Sequence, residues 1–172
     1  MNLNLNELVQ QVNGEFAERF EGRNLDLICI LQPEPLLIRA DSRRIWRVLE
    51  NLYVNVCKYA MPGTRVYVDA IKKDGKIQFS IKNISEHPLN FQADELTERF
   101  IRGDVSRSTE GSGLGLSIAK NLTVLQHGTF NIYLDGDLFK VTITFDEAVK
   151  EKKPMSPMIV PEPVQEEAQQ DV

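Results

Sequence analysis

The sequence predicts an α/β fold of a single domain, and three observations carry that expectation. Segments whose apolar residues recur at helical spacing are interleaved with short runs that alternate apolar and polar residues. Two pairs of those runs flank Asp-Gly or Gly-Asp turns, as hairpins do. The chain has 172 residues with 42% hydrophobic and 26% charged, which is ordinary for a globular domain and enough for a sizeable core.

The elements follow in order. Leu5, Leu8, Val9, Val12, Phe16 and Phe20 share one helical face, which predicts a helix from Leu5 to about Phe20. Leu25 to Leu31 and Leu36 to Arg39 read as short strands, joined by a turn at Gln32-Pro33-Glu34-Pro35. Asp41 or Ser42 can cap the next helix, which runs to about Tyr59 and is stopped by Met61-Pro62-Gly63. A hairpin follows, Arg65 to Ala70 and Lys76 to Ile81 around Lys73-Asp74-Gly75. Between Asn83 and Gly115 the periodicity weakens; a short helix around Asp94 to Phe100 is expected, and otherwise a loop rich in Gly, Ser and charge. A helix from Leu116 to about Leu125 ends near Gly128, the expected C-terminal cap. Thr129 to Leu134 and Phe139 to Phe145 form the last hairpin, around Asp135-Gly136-Asp137. After Asp146 the chain holds four of its eight prolines and ends in Glu, Gln and Asp, too little apolar surface to offset the entropy of ordering. The expected organisation is a domain at 1–146 and a disordered tail at 147–172.

Charge and residue counts exclude several classes. A net charge of -5 argues against a nucleic-acid partner, which usually meets a basic face. No apolar run approaches the roughly 18 residues that span a bilayer, and the first residues do not pair a basic stretch with an apolar one. A cytoplasmic location without direct membrane contact is the expectation. Cys29 and Cys57 lack metal-ligand spacing and read as reduced packing residues. His87 and His127 are too few and too far apart to suggest a metal site.

Two segments carry chemistry. In the helix from Ser42 to Tyr59, Ile45, Val48, Leu49, Leu52 and Val56 form the apolar face. At about 100° per residue, Asn51, Asn55 and Lys58 share a separate narrow stripe, and Tyr59 lies between the two faces. Asn is a poor helix former because its amide competes for backbone hydrogen bonds. On the helix alone the commoner reading is a solvated polar face. The functional reading is a wall for a hard cation, an amide oxygen serving as ligand and Lys58 as a point charge beside a phosphate. The second segment, Gly111-Ser112-Gly113-Leu114-Gly115-Leu116-Ser117, leads into a helix. Alternate glycines allow close approach of backbone to a ligand, and the helix start offers free N–H groups to an anion. It is neither a Walker loop nor a dinucleotide fingerprint. Upstream, Arg99, Arg102 and Arg107 lie near Asp104 and Glu110. That stretch reads either as a solvated loop or as a lid whose arginines reach phosphates on closing.

Together these segments resemble the catalytic and ATP-binding domain of bacterial sensor histidine kinases. Arg47 to Tyr59 looks like the family's asparagine box, Glu98-Arg99-Phe100-Ile101-Arg102-Gly103-Asp104 like its phenylalanine box, and Gly111 to Lys120 like its second glycine box. The resemblance covers roughly Leu3 to Phe145. It implies a two-layer α/β sandwich of the Bergerat type, with a mixed sheet covered on one face by helices and a flexible ATP lid. It implies that Asn55 binds Mg2+ with Asn51 alongside, that Lys58 contacts phosphate and that Tyr59 packs on adenine. Arg102 and Arg107 would approach the terminal phosphate, while Gly111, Gly113, Leu114, Gly115 and Leu116 would close over the triphosphate. Asn55, Lys58 and Arg102 would carry the catalytic roles. Such a domain positions and neutralises the transferred group, since phosphoryl transfer asks little covalent help of the protein.

The family's first glycine box departs from its pattern here. It normally reads Asp-x-Gly-x-Gly, the Asp accepting from the exocyclic amine of adenine; this chain reads Asn83-Ile84-Ser85-Glu86-His87. An Asn accepts without charge, so weaker or less adenine-selective binding is expected. His87 is followed by Pro88 and is not a phosphoacceptor candidate, and no His precedes it. The acceptor is therefore expected on a segment outside this chain, on the dimerisation helices of a parent kinase. A response-regulator receiver domain is then the downstream partner, the domain alone is a monomer, and the resemblance is compatible with a membrane-anchored parent. Two other readings remain. Hydrolases of the wider superfamily place a Glu four residues before the magnesium Asn; here that position is Asn51, and Glu50 is off the stripe. A degenerate nucleotide-binding scaffold is the alternative that the altered first glycine box supports. A serine kinase of the anti-sigma-factor type is a variant of the first reading, against which the phenylalanine box argues.

Overall fold

The structure, a computed structural model, describes residues 1–89 and 115–149. These form helices α1 (Leu5–Gly22), α2 (Ser42–Tyr59) and α3 (Gly115–Leu125). The strands are β1 (Asn2–Asn4), β2 (Asp26–Leu31), β3 (Leu37–Arg39), β4 (Arg65–Lys73), β5 (Lys76–Ile84), β6 (Thr129–Asp135) and β7 (Leu138–Asp146). The expected short helix near Asp94 and the stretch 150–172 of the expected tail lie outside the described residues.

Five strands pair in the order β2-β4-β5-β7-β6. β2 runs parallel to β4 and the other neighbours are antiparallel, so the sheet is mixed. The parallel pair needs a crossover, and α2 supplies it. Alternation decides the faces: Val66, Val68 and Ala70, then Ile77, Phe79 and Ile81, then Val141, Ile143 and Phe145 are buried, while Tyr67, Gln78, Lys82 and Lys140 are not. The buried set merges with the apolar faces of α1, α2 and α3 into one core. The fold is thus the expected two-layer sandwich.

Both hairpins turn where the sequence places them, and the strands of the first run longer. Asp74 and Gly75 have φ of 52° and 73°, two positive values in a two-residue loop, as a type I′ turn requires. Gly136 alone is positive at 59° in the second, which fits type II′. The turn after β2 does not return the chain to its neighbour. β3 leaves for a small antiparallel sheet with β1, a strand the periodicity did not reveal. Asn6 holds this turn, its amide donating to the carbonyls of Gln32 at 2.9 Å and Glu34 at 3.0 Å. Two contacts follow Asp146: the Ala148 N–H donates to the Leu37 carbonyl at 2.8 Å and Glu147 pairs with Lys72 at 2.8 Å.

The end of α3 corrects one expectation. Gly128 does not take the left-handed position; His127 does, with φ of 66°. The His127 N–H reaches the Val124 carbonyl at 3.0 Å and the Gly128 N–H the Thr123 carbonyl at 3.0 Å, the bond pair of a Schellman motif shifted one residue. Gly128 is required for space instead: a β-carbon there would meet Phe145 Cε1 at 2.5 Å and Thr123 Cγ2 at 2.9 Å.

Tyr53 joins the core at 0% exposure, stacked on Phe20 with ring centroids 5.7 Å apart and tilted against Phe16 at 5.4 Å. Its hydroxyl donates to the Asn13 side-chain oxygen. Burial pushes the phenol far above its ordinary value, with the nearby Cys29 adding to the shift. Burial likewise pushes up the thiols of Cys29 and Cys57.

Two outcomes are expected. His127→Gly should raise unfolding free energy in urea by about 1 kcal/mol by relieving a left-handed non-glycine residue, and Gly128→Ala should lower it by about 1–3 kcal/mol through overpacking. All three raised groups bind protons more tightly when folded. Their stabilisation is full below the unfolded thiol value of about 8.5 and declines as pH rises through it, and further past the phenol's value of about 10. Urea midpoints falling between pH 8 and 11, with one tyrosine resisting ionisation by ultraviolet absorbance until unfolding, would bear this out.

Candidate functional site

α2 presents the asparagine stripe because its start and its buried face are both fixed. The Asp41 carboxylate caps it, accepting from the N–H groups of Arg43 at 2.9 Å and Arg44 at 3.1 Å. Ile45, Val48, Leu49, Leu52, Tyr53 and Val56 are buried along its length. With that face committed to the core, Asn51 and Asn55 are left half-buried, Lys58 exposed and Tyr59 half-buried.

α3 packs beside α2, and its first residue meets the stripe. A β-carbon on Gly115 would lie 3.5 Å from Asn51 Oδ1. The Asn51 amide donates to the Arg47 carbonyl at 2.8 Å, one turn back, which leaves its oxygen on the Gly115 side. The first turn of α3 carries no acidic side chain that would oppose an anion at the positive end of the helix dipole. Leu116, also expected at the site, turns its side chain into the core at 3% exposure. Asn55 and Lys58 have no hydrogen-bond or ion-pair partner among the described residues. Arg102, Arg107, Gly111, Gly113 and Leu114 lie outside the described residues.

The altered glycine box sits at the other end of the stripe. Eight residues of helix separate Asn51 from Tyr59, on the order of 12 Å at 1.5 Å rise per residue. The Tyr59 carbonyl accepts from the Glu86 N–H at 2.8 Å, and the Met61 N–H donates to the Ile84 carbonyl at 2.8 Å. Ser85 is buried, bridged to Ala60, and its N–H donates to the Asp137 carbonyl at 2.7 Å. His87 is exposed, and its N–H donates to Ser85 Oγ at 3.3 Å. Asn83 shares the helix-facing side of β5 with Ile77, Phe79 and Ile81; it is 3% exposed, and its Oδ1 has no hydrogen-bond partner among the described residues, as is also true of Asn6 Oδ1 and Arg23 Nε. A buried acceptor left unpaired costs about 1–3 kcal/mol, which a water or a ligand at Asn83 would offset.

Sequence reasoning missed Arg23. It follows α1, donates from Nη2 to the Ala60 carbonyl at 3.1 Å and lies 3.6 Å from the Glu86 carboxylate, bracing the altered segment against the end of α2. No local signal marks it, because its partners lie 37 and 63 positions away.

The molecule is a mixed sheet under one layer of helices, with a half-buried asparagine stripe, a glycine at the facing helix start and a buried acceptor unpaired among the described residues. Residues 40–150 match the model of the histidine kinase-, DNA gyrase B- and HSP90-like ATPases, and the chain belongs to that family of ATP-binding domains. Within it the similarity is to sensor kinases. The chain is 30% identical over 123 residues to the signal transduction histidine-protein kinase BaeS of Escherichia coli K12, covering 70% of this chain and 26% of that protein. It is 31% identical over 150 residues to the sensor histidine kinase CusS of the same strain, covering 82% and 30%. The chain therefore spans between a quarter and a third of these relatives. The solved catalytic domain of histidine kinase ThkA superposes with a TM-score of 0.74 at 25% identity, covering 86% of this chain and 95% of that one. ThkA has also been solved in complex with the response regulator protein TrrA.

Gly115→Ala separates fold from site. The β-carbon meets only ordinary contacts, and Ala is the better helix former by about 1 kcal/mol. Thermal melting should rise or hold while ATP affinity falls; a variant that binds ATP as well as the parent chain would remove Gly115 from the site.

Proposed function

We propose that this domain binds magnesium–ATP and transfers the terminal phosphoryl group to a histidine carried on the dimerisation helices of a parent sensor kinase, for passage to a receiver domain. The reading rests on one observation above the others: Gly115 at the start of α3 lies against Asn51, with Asn55 and Lys58, without a partner among the described residues, one and two turns further along the same stripe. Tyr59 and Asn83 at the far end suit a purine, the ring of one packing on the base and the amide of the other pairing with its edge. Asn55 offers an amide oxygen of the kind a magnesium ion takes alongside phosphate oxygens and water. The ion would supply charge neutralisation on the phosphates. Lys58 adds a positive charge beside them and the α3 start adds N–H donors. Arg102 and Arg107 complete the proposal as cations for the terminal phosphate.

The chain's own groups favour transfer over hydrolysis. An activated water needs a base near the terminal phosphate, and the residue at the expected place is Asn51, whose amide is not basic enough to take a proton near neutral pH. The phosphoryl group leaves ADP for an imidazole nitrogen of the acceptor, and Asn55, Lys58 and the helix start hold the triphosphate in line for that attack. We assign the domain to the cytoplasmic side of its parent, and expect it to be monomeric when separated from the parent's helices. No helix among the described residues is long and apolar enough to cross a membrane.

Calorimetric titration of ATP with magnesium, and with a chelator, tests this reading. Binding should require magnesium, and Asn55→Ala should weaken it by at least about tenfold, the loss of one charge-assisted contact. Absence of binding at millimolar ATP would instead favour a degenerate scaffold.

A further inference from the structure

We infer that Asn83 makes the base pocket of this domain accept either purine edge, so that 6-oxopurine nucleotides bind beside adenine nucleotides. The inference rests on the nucleotide-binding reading above and concerns which base enters.

Nothing among the described residues sets the orientation of the Asn83 amide. Asn83 is 3% exposed, its Oδ1 has no partner, and neither end of the amide takes part in a hydrogen bond among the described residues. Other amides are pinned: that of Asn6 by the carbonyls of Gln32 and Glu34, that of Asn51 by the carbonyl of Arg47. The backbone beside Asn83 cannot take over base selection either. The Ser85 N–H is committed to the Asp137 carbonyl and the Glu86 N–H to the Tyr59 carbonyl.

A carboxylate in this place presents acceptors only, whereas an amide presents an acceptor and a donor side by side. The adenine edge offers the 6-amino donor next to the N1 acceptor, which match Oδ1 and Nδ2. A 6-oxopurine offers the reverse, an acceptor at the 6-oxygen and a donor at N1–H. Half a turn about the terminal side-chain bond exchanges Oδ1 and Nδ2 and matches that edge equally. A carboxylate cannot follow, because its second oxygen would face the 6-oxygen. With no protein bond to break on turning, the amide meets both edges at similar cost, and either edge satisfies the buried oxygen.

The whole chain should be titrated calorimetrically with ATP and with inosine triphosphate, both with magnesium, and again as Asn83→Asp. Inosine carries the 6-oxo and N1–H edge without a 2-amino group, so pocket width does not confuse the comparison. The two dissociation constants should agree within about tenfold for the native chain. For Asn83→Asp they should separate by more than about 100-fold in favour of ATP, as sites do when a buried group is left facing the wrong partner. A native preference for ATP beyond about 100-fold overturns the inference while leaving ATP binding intact. Equal ratios in both proteins remove Asn83 as the selecting residue. Failure of both nucleotides to bind overturns the nucleotide-binding reading and this inference with it. The native measurement needs no variant, so a buried Asp that impairs folding does not blunt the test.

Discussion

Burial of one face of α2 against the sheet is the constraint on which the rest of the molecule depends. Six side chains from Ile45 to Val56 are removed from water along this helix, each contributing about 1.5–3 kcal/mol in transfer terms. Once that face is committed, the helix cannot rotate, and the stripe of Asn51, Asn55 and Lys58 has one place to go. The same helix lies in the crossover between the parallel strands β2 and β4, entered from β3 of the small sheet and leading into β4 of the large one. Its neighbours are set in turn. α1 closes over it through Phe16, Phe20 and Tyr53, and α3 lies along it so that Gly115 reaches Asn51.

The segment from Asn83 to His87 shows how a well-packed stretch can leave one buried group unsatisfied. Where the family places glycines, Ser85 is buried and the backbone of Ser85 and Glu86 is bonded to Asp137 and Tyr59. Arg23 adds a brace from α1. The cost falls on Asn83, whose buried oxygen is unpaired in the absence of another molecule. Natural proteins tolerate such local penalties mainly where a ligand removes them. The packed surroundings keep that oxygen in position without satisfying it.

Much of this was legible in local pattern. The helices of α1 and α2, the Asp41 cap, both hairpins and the asparagine stripe follow from periodicities of 3.6 and 2 and from turn chemistry, which are properties of neighbouring residues. Gly128 was misread for a physical reason. A glycine after a helix is usually there for its backbone freedom, but here His127 takes the positive φ and Gly128 makes room for Phe145, seventeen residues further on. β1 escaped notice because three residues are too few for alternation to register, and it exists only because β3 pairs with it. The bond from Ala148 to Leu37 is likewise a contact that composition cannot express.

The sequence by itself determined the class of fold, the order of its elements, the chemistry of the stripe and the departure at Asn83, because each is written in residues within one or two turns of one another. Only the tertiary structure decided that Gly115 lies against Asn51 and that Ser85 and Glu86 lock onto the end of α2. It alone decided that Arg23 braces them and that Asn83 is buried without a partner. Those facts depend on which distant surfaces the core brings together, and burial and hydrogen-bond satisfaction belong to the packed whole rather than to any stretch of chain.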